Sequence, residues 1–371
     1  MKKIGIIGGG LAGLTSAILL ARKGFEITLF EEKKYPFHRV CGEYISNEVI
    51  PFLEKHEIYP KELEPVPISK FHLTSPLGKS LKTLLDLGGF GLSRYALDRW
   101  LSEIAIKESV QIIHDRVTAC EFQDEAFEIE TRNSGGYEAD LVIGSFGKRS
   151  IIDKNLDRSF INNRSPYIGV KYHLKTKEVQ QDAIELHNFK GGYCGVSRVE
   201  NEIFNLCYLS HRDNLKEKGS IPEIEKEVLC RNPHLERIFK NSEFLFEKPE
   251  VINEITFSQK EPVYNHILMT GDAAGMITPL CGNGMAMAIH SAKLLSELIE
   301  INAKQEFNRK KLEDDYAILW GLLFSRRLWA GRKIQKLFGA TFLSEAAVLM
   351  GKSFPPITRK LMSLTHGQPF S

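Results

Sequence analysis

Apolar residues run almost unbroken through Ile4-Gly5-Ile6-Ile7, stop at Gly8-Gly9-Gly10, resume from Leu14 to Leu20, pause at Lys23-Gly24 and return as Ile27-Thr28-Leu29-Phe30 before Glu31. Short continuous apolar runs bounded by turn residues are the mark of buried parallel strands, so this pattern predicts a strand–helix–strand unit. Two later stretches repeat the theme. A helix starts at Leu92-Ser93-Arg94-Tyr95-Ala96-Leu97-Asp98 with Ser93 as N-cap, leading to the strand Val110–Ile113 and a hairpin that ends in Ala139–Gly144. The short strand His266–Thr270 then runs into Gly271-Asp272-Ala273-Ala274-Gly275 and a helix from Met285 to Ile299.

Residues 158 to 260 read mostly as strands. Ile168, Val170, Tyr172 and Leu174 alternate with Gly169, Lys171, His173 and Lys175, and the runs 183–189, 192–199 and 202–209 are separated by turn residues, predicting an antiparallel sheet. Pro222–Cys230 is the one helix expected there. Beyond residue 301, Tyr316, Leu319, Leu322, Leu323, Leu328, Ile334 and Leu337 recur at helical spacing. The expected organisation is therefore a discontinuous nucleotide-binding domain (1–70, 91–157 and 260–300), an inserted sheet domain (71–90 and 158–259) and a helical C-terminal region (301–371).

A length of 371 residues suits about two domains, and a net charge of +2 with no basic stripe interleaved with aromatics removes nucleic acid as a partner. Six cysteines without a CxxC pair argue against a disulfide framework and against a zinc site, and no metal is expected. The first strand begins almost at once, and no apolar run reaches the ~20 residues of a membrane span, so a cytoplasmic location is expected. The C-terminal region carries twelve Lys/Arg against five Asp/Glu. Its basic helices, with Arg326, Arg327, Arg332, Lys333 and Lys336, read as a solvated face or as a peripheral membrane contact. The oligomeric state is not legible.

The chemistry concentrates at the glycines. Gly8 suits a tight turn, Gly10 lets a pyrophosphate approach the backbone, Gly13 allows helix and strand to pack closely, and Glu31 stands where a ribose 2′-OH is bound. Asp272 closes a strand and is followed by small residues, so its carboxylate can accept hydrogen bonds from a polyol chain; capping the following turn is the competing reading.

Gly8-x-Gly10-x-x-Gly13 with Glu31, Arg94-x-x-Leu97-Asp98, and Gly271-Asp272-Ala273-Ala274-Gly275 with Pro279 and Gly282-x-Gly284 together resemble the flavoprotein superfamily of aromatic monooxygenases (p-hydroxybenzoate hydroxylase-like), flavin halogenases and geranylgeranyl reductases. The resemblance implies an α/β fold with a Rossmann-like FAD-binding domain, an inserted antiparallel substrate sheet and a helical C-terminal region. It implies FAD as cofactor, held by Gly8, Gly10, Leu11, Ala12, Gly13, Glu31, Glu32, Arg39, Arg94, Asp272, Gly282, Gly284 and Met285. No second GxGxxG follows a strand, so NAD(P)H as electron donor would bind transiently. His38–Ser46 resembles the Cys-Gly motif of geranylgeranyl reductases, which makes Cys41 a candidate catalytic residue, together with Cys281 in the flavin-side loop and Tyr193; an inert buried thiol is the competing reading for each cysteine.

Two departures stand out. Phe146 occupies a place where the superfamily usually has an acid, and of the reductases' aromatic substrate pattern only Tyr193 survives. The expected activity is an FAD-dependent oxidoreductase that reduces a carbon–carbon double bond of a hydrophobic, isoprenoid- or lipid-like substrate. The alternatives are a monooxygenase acting on a phenolic ring and a flavin-binding scaffold without turnover.

Overall fold

The structure, a computed structural model, describes residues 2–163, 165–278, 282–335, 341–353 and 367–371. The chain begins with β1 (Lys3–Ile7), α1 (Leu11–Ala21) and β2 (Glu26–Phe30), then forms β3 (Tyr44–Ser46), α2 (Ile50–Lys55), β4 (Val66–Thr74) and β5 (Ser80–Gly91). Next come α3 (Arg94–Lys107), β6 (Gln111–Ile113), a meander of β7 (Val117–Gln123), β8 (Ala126–Thr131) and β9 (Gly136–Ala139), β10 (Leu141–Gly144) and α4 (Ile151–Asn155). Four long strands follow: β11 (Tyr167–Lys175), β12 (Ala183–Phe189), β13 (Gly192–Arg198) and β14 (Phe204–His211). After them the chain adds α5 (Arg212–Lys218), α6 (Ile221–Glu227), α7 (Pro233–Asn241), β15 (Glu243–Phe244), β16 (Glu250–Ile252), β17 (Val263–Tyr264) and β18 (Ile267–Met269). The helices α8 (Gly284–Ala303), α9 (Arg309–Gln335) and α10 (Thr341–Ser353) complete the described elements.

One sheet has the order β17-β18-β10-β1-β2-β6 and is parallel except at the β17 edge. Helix α1 packs against both α3 and α8 beside it, and their apolar residues join Ile4, Ile6, Leu29 and Val142 in the largest core. Ser93 caps α3, its hydroxyl accepting from Ala96 N at 3.1 Å.

The second sheet runs β15-β11-β14-β13-β12-β4-β5-β3, with β16 also on β11. It is antiparallel except where β4 and β12 pair in parallel, a crossover that local alternation does not reveal. Two further differences from the sequence expectation appear. β3 and the start of β4 lie within the first segment assigned to nucleotide binding, yet they hydrogen-bond into this second sheet. Residues 212–241 are largely helical, beyond the one helix expected, because α6, the 3-10 turn Leu229–Arg231 and α7 place Ile224, Leu229 and Leu235 on the apolar back of the sheet, with Ile168, Val170 and Phe189.

Arg158 joins the segments around the sheet insertion. Fully buried, it donates to Asp153 Oδ1 at 2.9 Å, to Ala273 O at 3.0 Å and to Glu261 O at 2.9 Å. Removing one partner of a buried ion pair leaves the other charge uncompensated, at a cost of about 3–5 kcal/mol. Arg158→Met is therefore expected to lose stability of that order in urea unfolding; an unchanged midpoint would contradict this account of the joint.

Candidate active site

β1 ends in a turn that only glycine fits. Gly8 has φ +106°, and a Cβ there would lie 2.4 Å from Ser145 O; a Cβ on Gly13 would lie 2.0 Å from Gly8 O. Gly10 differs: its nearest neighbour would be Arg94 Nη2 at 3.5 Å, so this side of the turn is open. Gly10 also N-caps α1 without a side-chain bond, leaving the first amides of the helix available to an anion. Two residues that the sequence reading missed hold the turn from outside. Ser145 donates to Gly8 O at 2.6 Å, and Tyr35 donates to Gly9 O at 2.6 Å.

Beside the turn runs a chain of alternating charges. Glu31 accepts from Gly9 N at 3.1 Å and from Arg39 Nη2 at 2.8 Å; Arg39 Nε donates to Asp98 at 3.0 Å, and Arg94 grips Asp98 through two bonds of 2.7 Å. Arg39 and Arg94 are thus oriented by carboxylates along the wall of a cavity they line. Glu32 pairs with Arg116 at 2.6 Å on the same wall.

Asp272 sits on the turn Gly271–Ala273, where burial raises its carboxyl above the ordinary value. The carboxylate has no hydrogen-bond or ion-pair partner among the described residues, and it borders the cavity. The turn's carbonyls are held from behind by buried cations: Lys260 donates to Asp272 O at 2.7 Å and Arg158 to Ala273 O at 3.0 Å. Burial lowers Lys260 to about 8.

Opposite lies the segment that carries Cys41. Its backbone carbonyl accepts from Asn205 Nδ2 at 3.0 Å, and its Sγ accepts from Glu43 N at 3.5 Å. Burial pushes the Cys41 thiol up, so it stays protonated at neutral pH. Glu43, fully buried with φ +54°, receives Lys171 Nζ at 2.5 Å, lies 2.7 Å from His173 Nε2 and accepts from Arg94 N at 2.8 Å. Burial alone would raise its carboxyl, but Lys171 and His173 bring it down to about 2. Glu43, Lys171 and His173 were not singled out from sequence, unlike Arg94, since they lie on distant elements; the polar residues Lys171 and His173 in an otherwise apolar strand were the available signal.

These features border one cavity of about 930 Å³. Gly8, Gly10, Leu11, Ala12, Glu31, Glu32, Arg39, Arg94, Cys41, Tyr193, Asp272, Gly282, Gly284 and Met285 all line it, as does Phe146, whereas Gly13 serves packing behind the turn. Tyr44, which the sequence reading did not select, lines it too, and its buried hydroxyl lacks a hydrogen-bond partner among the described residues. The far end is apolar, with Ile184, Leu186, Leu209, Ile252 and Ile255. Cys281 and Pro279 lie outside the described residues. No group of three or more His, Cys, Asp or Glu among the described residues is arranged to hold a metal ion.

The family described as an NAD(P)-binding Rossmann-like domain matches residues 6–44. A digeranylgeranylglycerophospholipid reductase of Methanosarcina acetivorans is 24% identical over 342 residues, covering 85% of this chain and 79% of that protein. The FAD-dependent monooxygenase atnA of Arthrinium sp is 23% identical over 337 residues, covering 80% of this chain and 44% of that protein. The solved structure of Klebsiella pneumoniae HpxO complexed with FAD and uric acid superposes with TM-score 0.77 at 17% identity, over 98% of this chain and 96% of that one, which shows a shared fold. The chain is thus similar, over most of its length, to flavoprotein reductases and monooxygenases. It spans 44% to 61% of the length of three of its curated relatives.

FAD is the cofactor named for several of these similar proteins, and the residues present in this chain fit it. The open face of Gly10 and the free amides of α1 suit a pyrophosphate, Glu31 retains acceptor capacity toward a ribose, and the unpartnered Asp272 carboxylate suits a ribityl chain.

Two measurements test this geometry. Glu31→Gln should weaken FAD binding by roughly 1.5–3 kcal/mol, and Gly10→Val by more, in fluorescence titrations of the apoprotein; wild-type affinity in both would show the nucleotide to be misplaced. Glu43 has a folded value of about 2 against an ordinary 4.5, so its contribution is present above pH about 4.5 and is lost as pH falls toward 2. Wild type should lose roughly 3 kcal/mol across that window, whereas Glu43→Gln should start less stable at neutral pH and lack this component in acid.

Proposed function

We propose that the protein is an FAD-dependent oxidoreductase that reduces a carbon–carbon double bond of a hydrophobic, isoprenoid- or lipid-like substrate. The observation that carries this reading is the continuity of one cavity from the nucleotide turn, past Cys41 and Asp272, to an apolar wall of sheet residues. A wall of Ile184, Leu186, Leu209 and Ile255 gains about 25 cal/mol for each Å² of apolar ligand surface it covers, so an alkyl or prenyl chain is bound without a charged anchor.

FAD held by these residues would, when reduced, supply the hydride that one alkene carbon needs. The neighbouring carbon needs a proton, and Cys41, kept protonated by burial on the cavity wall, is the proposed donor; Tyr193 is the second candidate on the same wall. The positive end of the α8 dipole, entered through Gly282 and Gly284, favours negative charge at this part of the cavity. NAD(P)H is the proposed source of electrons. The five described cysteines are free thiols, which fits work in a reducing cytoplasm.

Several similar proteins are FAD-dependent monooxygenases, which favours a second reading; for this chain that would be oxygen-dependent hydroxylation of a phenolic ring. Anaerobic stopped-flow decides between them. Photoreduced enzyme mixed with an alkenyl lipid should reoxidise its flavin with formation of the saturated product, and Cys41→Ser should slow this by about 100-fold at unchanged FAD content. Oxygen uptake coupled to an alkyl phenol, with no anaerobic reoxidation by alkenes, would replace the reductase reading. A fully active Cys41→Ser enzyme would return that residue to packing.

A further inference from the structure

Three units, the β4–β5 hairpin, α9 and α10, meet in one buried apolar cluster beside the apolar part of the cavity. Leu73 and Leu81 come from β4 and β5, Ile334 from α9 and Val348 from α10, and they pack with Leu186, Tyr193, Leu209 and Ile255, which also form the cavity wall. On their outer sides the same three elements expose large apolar residues. Leu77 in the β4–β5 turn is 70% exposed, Trp329 on α9 57%, and Leu349 and Met350 on α10 46% and 59%. Leu77 N donates to Glu345 Oε1 at 2.9 Å, and Leu349 follows Glu345 by one helical turn, so hairpin tip and α10 form one surface. Among the described residues, large exposed apolar side chains gathered this way mark an interaction site rather than ordinary surface.

The charges around them are mainly of one sign. Lys79, Arg326, Lys333 and Lys352 lie on these stretches, with the Lys333 ammonium 5.7 Å from the Trp329 ring centroid. Of the acids on the hairpin and α10, Glu345 is already paired with Lys79 at 3.4 Å. Two-fold pairing with a second copy of the chain would set these cations against one another, whereas an anionic bilayer complements them. No helix among the described residues is long and apolar enough to cross a membrane, so the contact is with the bilayer surface.

We propose that the face formed by the β4–β5 hairpin, the C-terminal turns of α9, and α10 docks on an anionic lipid bilayer, placing the apolar end of the cavity beside the phase from which its substrate is drawn. This rests on the hydrophobic-substrate reading of that cavity. The side chains that enter the interface are Leu77, Trp329, Leu349 and Met350, and the cations meet the headgroups.

Sedimentation of the FAD-loaded protein with vesicles tests it. Partitioning onto phosphatidylcholine vesicles containing phosphatidylglycerol should exceed that onto phosphatidylcholine alone by about tenfold or more and should fall with added salt. Leu77→Glu combined with Leu349→Glu should reduce partitioning by a similar factor, leaving FAD content, thermal midpoint and turnover of a short water-soluble alkene unchanged. Equal partitioning of variant and wild type, or no partitioning by either, overturns the proposal. So does a dimer that the double variant abolishes without vesicle binding, which assigns the face to a second copy, or a lowered thermal midpoint without vesicle binding, which assigns it to the chain's own packing. Vesicle binding that persists when no alkene is reduced leaves the docking face standing and defeats the functional reading alone.

Discussion

A carboxylate taken wholly out of water must be neutralised where it stands, and Glu43 meets that requirement by drawing three parts of the protein together. Its partners Lys171 and His173 are on β11 of the second sheet, and Arg94 N belongs to the first turn of α3 beside the nucleotide turn. Lys171 also donates to Arg39 O at 3.2 Å, so the segment from Arg39 to Glu43 is fixed at both ends. Cys41 lies between those ends. The position of that thiol on the cavity wall, and of the Arg39 guanidinium next to Glu31, follows from a charge balance that neither sheet achieves alone.

The cavity exists because the two sheets are built for different tasks. The parallel sheet brings its strand ends, with their glycine turn and the Gly271–Ala273 turn, to one edge, where backbone groups can approach a ligand. The large sheet offers a broad apolar face. Buried cations behind the Asp272 turn, Lys260 and Arg158, hold its carbonyls while leaving its carboxylate facing the cavity. The glycine turn with the Asp272 turn, and the apolar residues of the large sheet, therefore border one cavity from separate elements.

Phe146 illustrates how a departure from a familiar pattern is absorbed. It packs against the main core and borders the cavity, while its neighbour Ser145 holds the Gly8 turn through its hydroxyl. The side-chain hydroxyl that steadies the glycine turn thus comes from the residue before Phe146.

How much was legible from the chain depended on the range of the forces involved. The strand–helix–strand unit, the three glycine roles and the N-cap Ser93 are decided within a turn or two of backbone, by hydrophobic period and by steric room at single positions, and the sequence by itself determined them. It also marked Cys41, Tyr193 and Asp272 as chemistry in search of a site. The tertiary structure alone decided that they share one cavity, that β4 pairs in parallel with β12, that residues 212–241 form helices over the sheet's back, and that Glu43 is matched by Lys171 across 128 residues of chain. Such pairings depend on burial and on charges brought together by packing, and neither quantity is defined until the chain has folded.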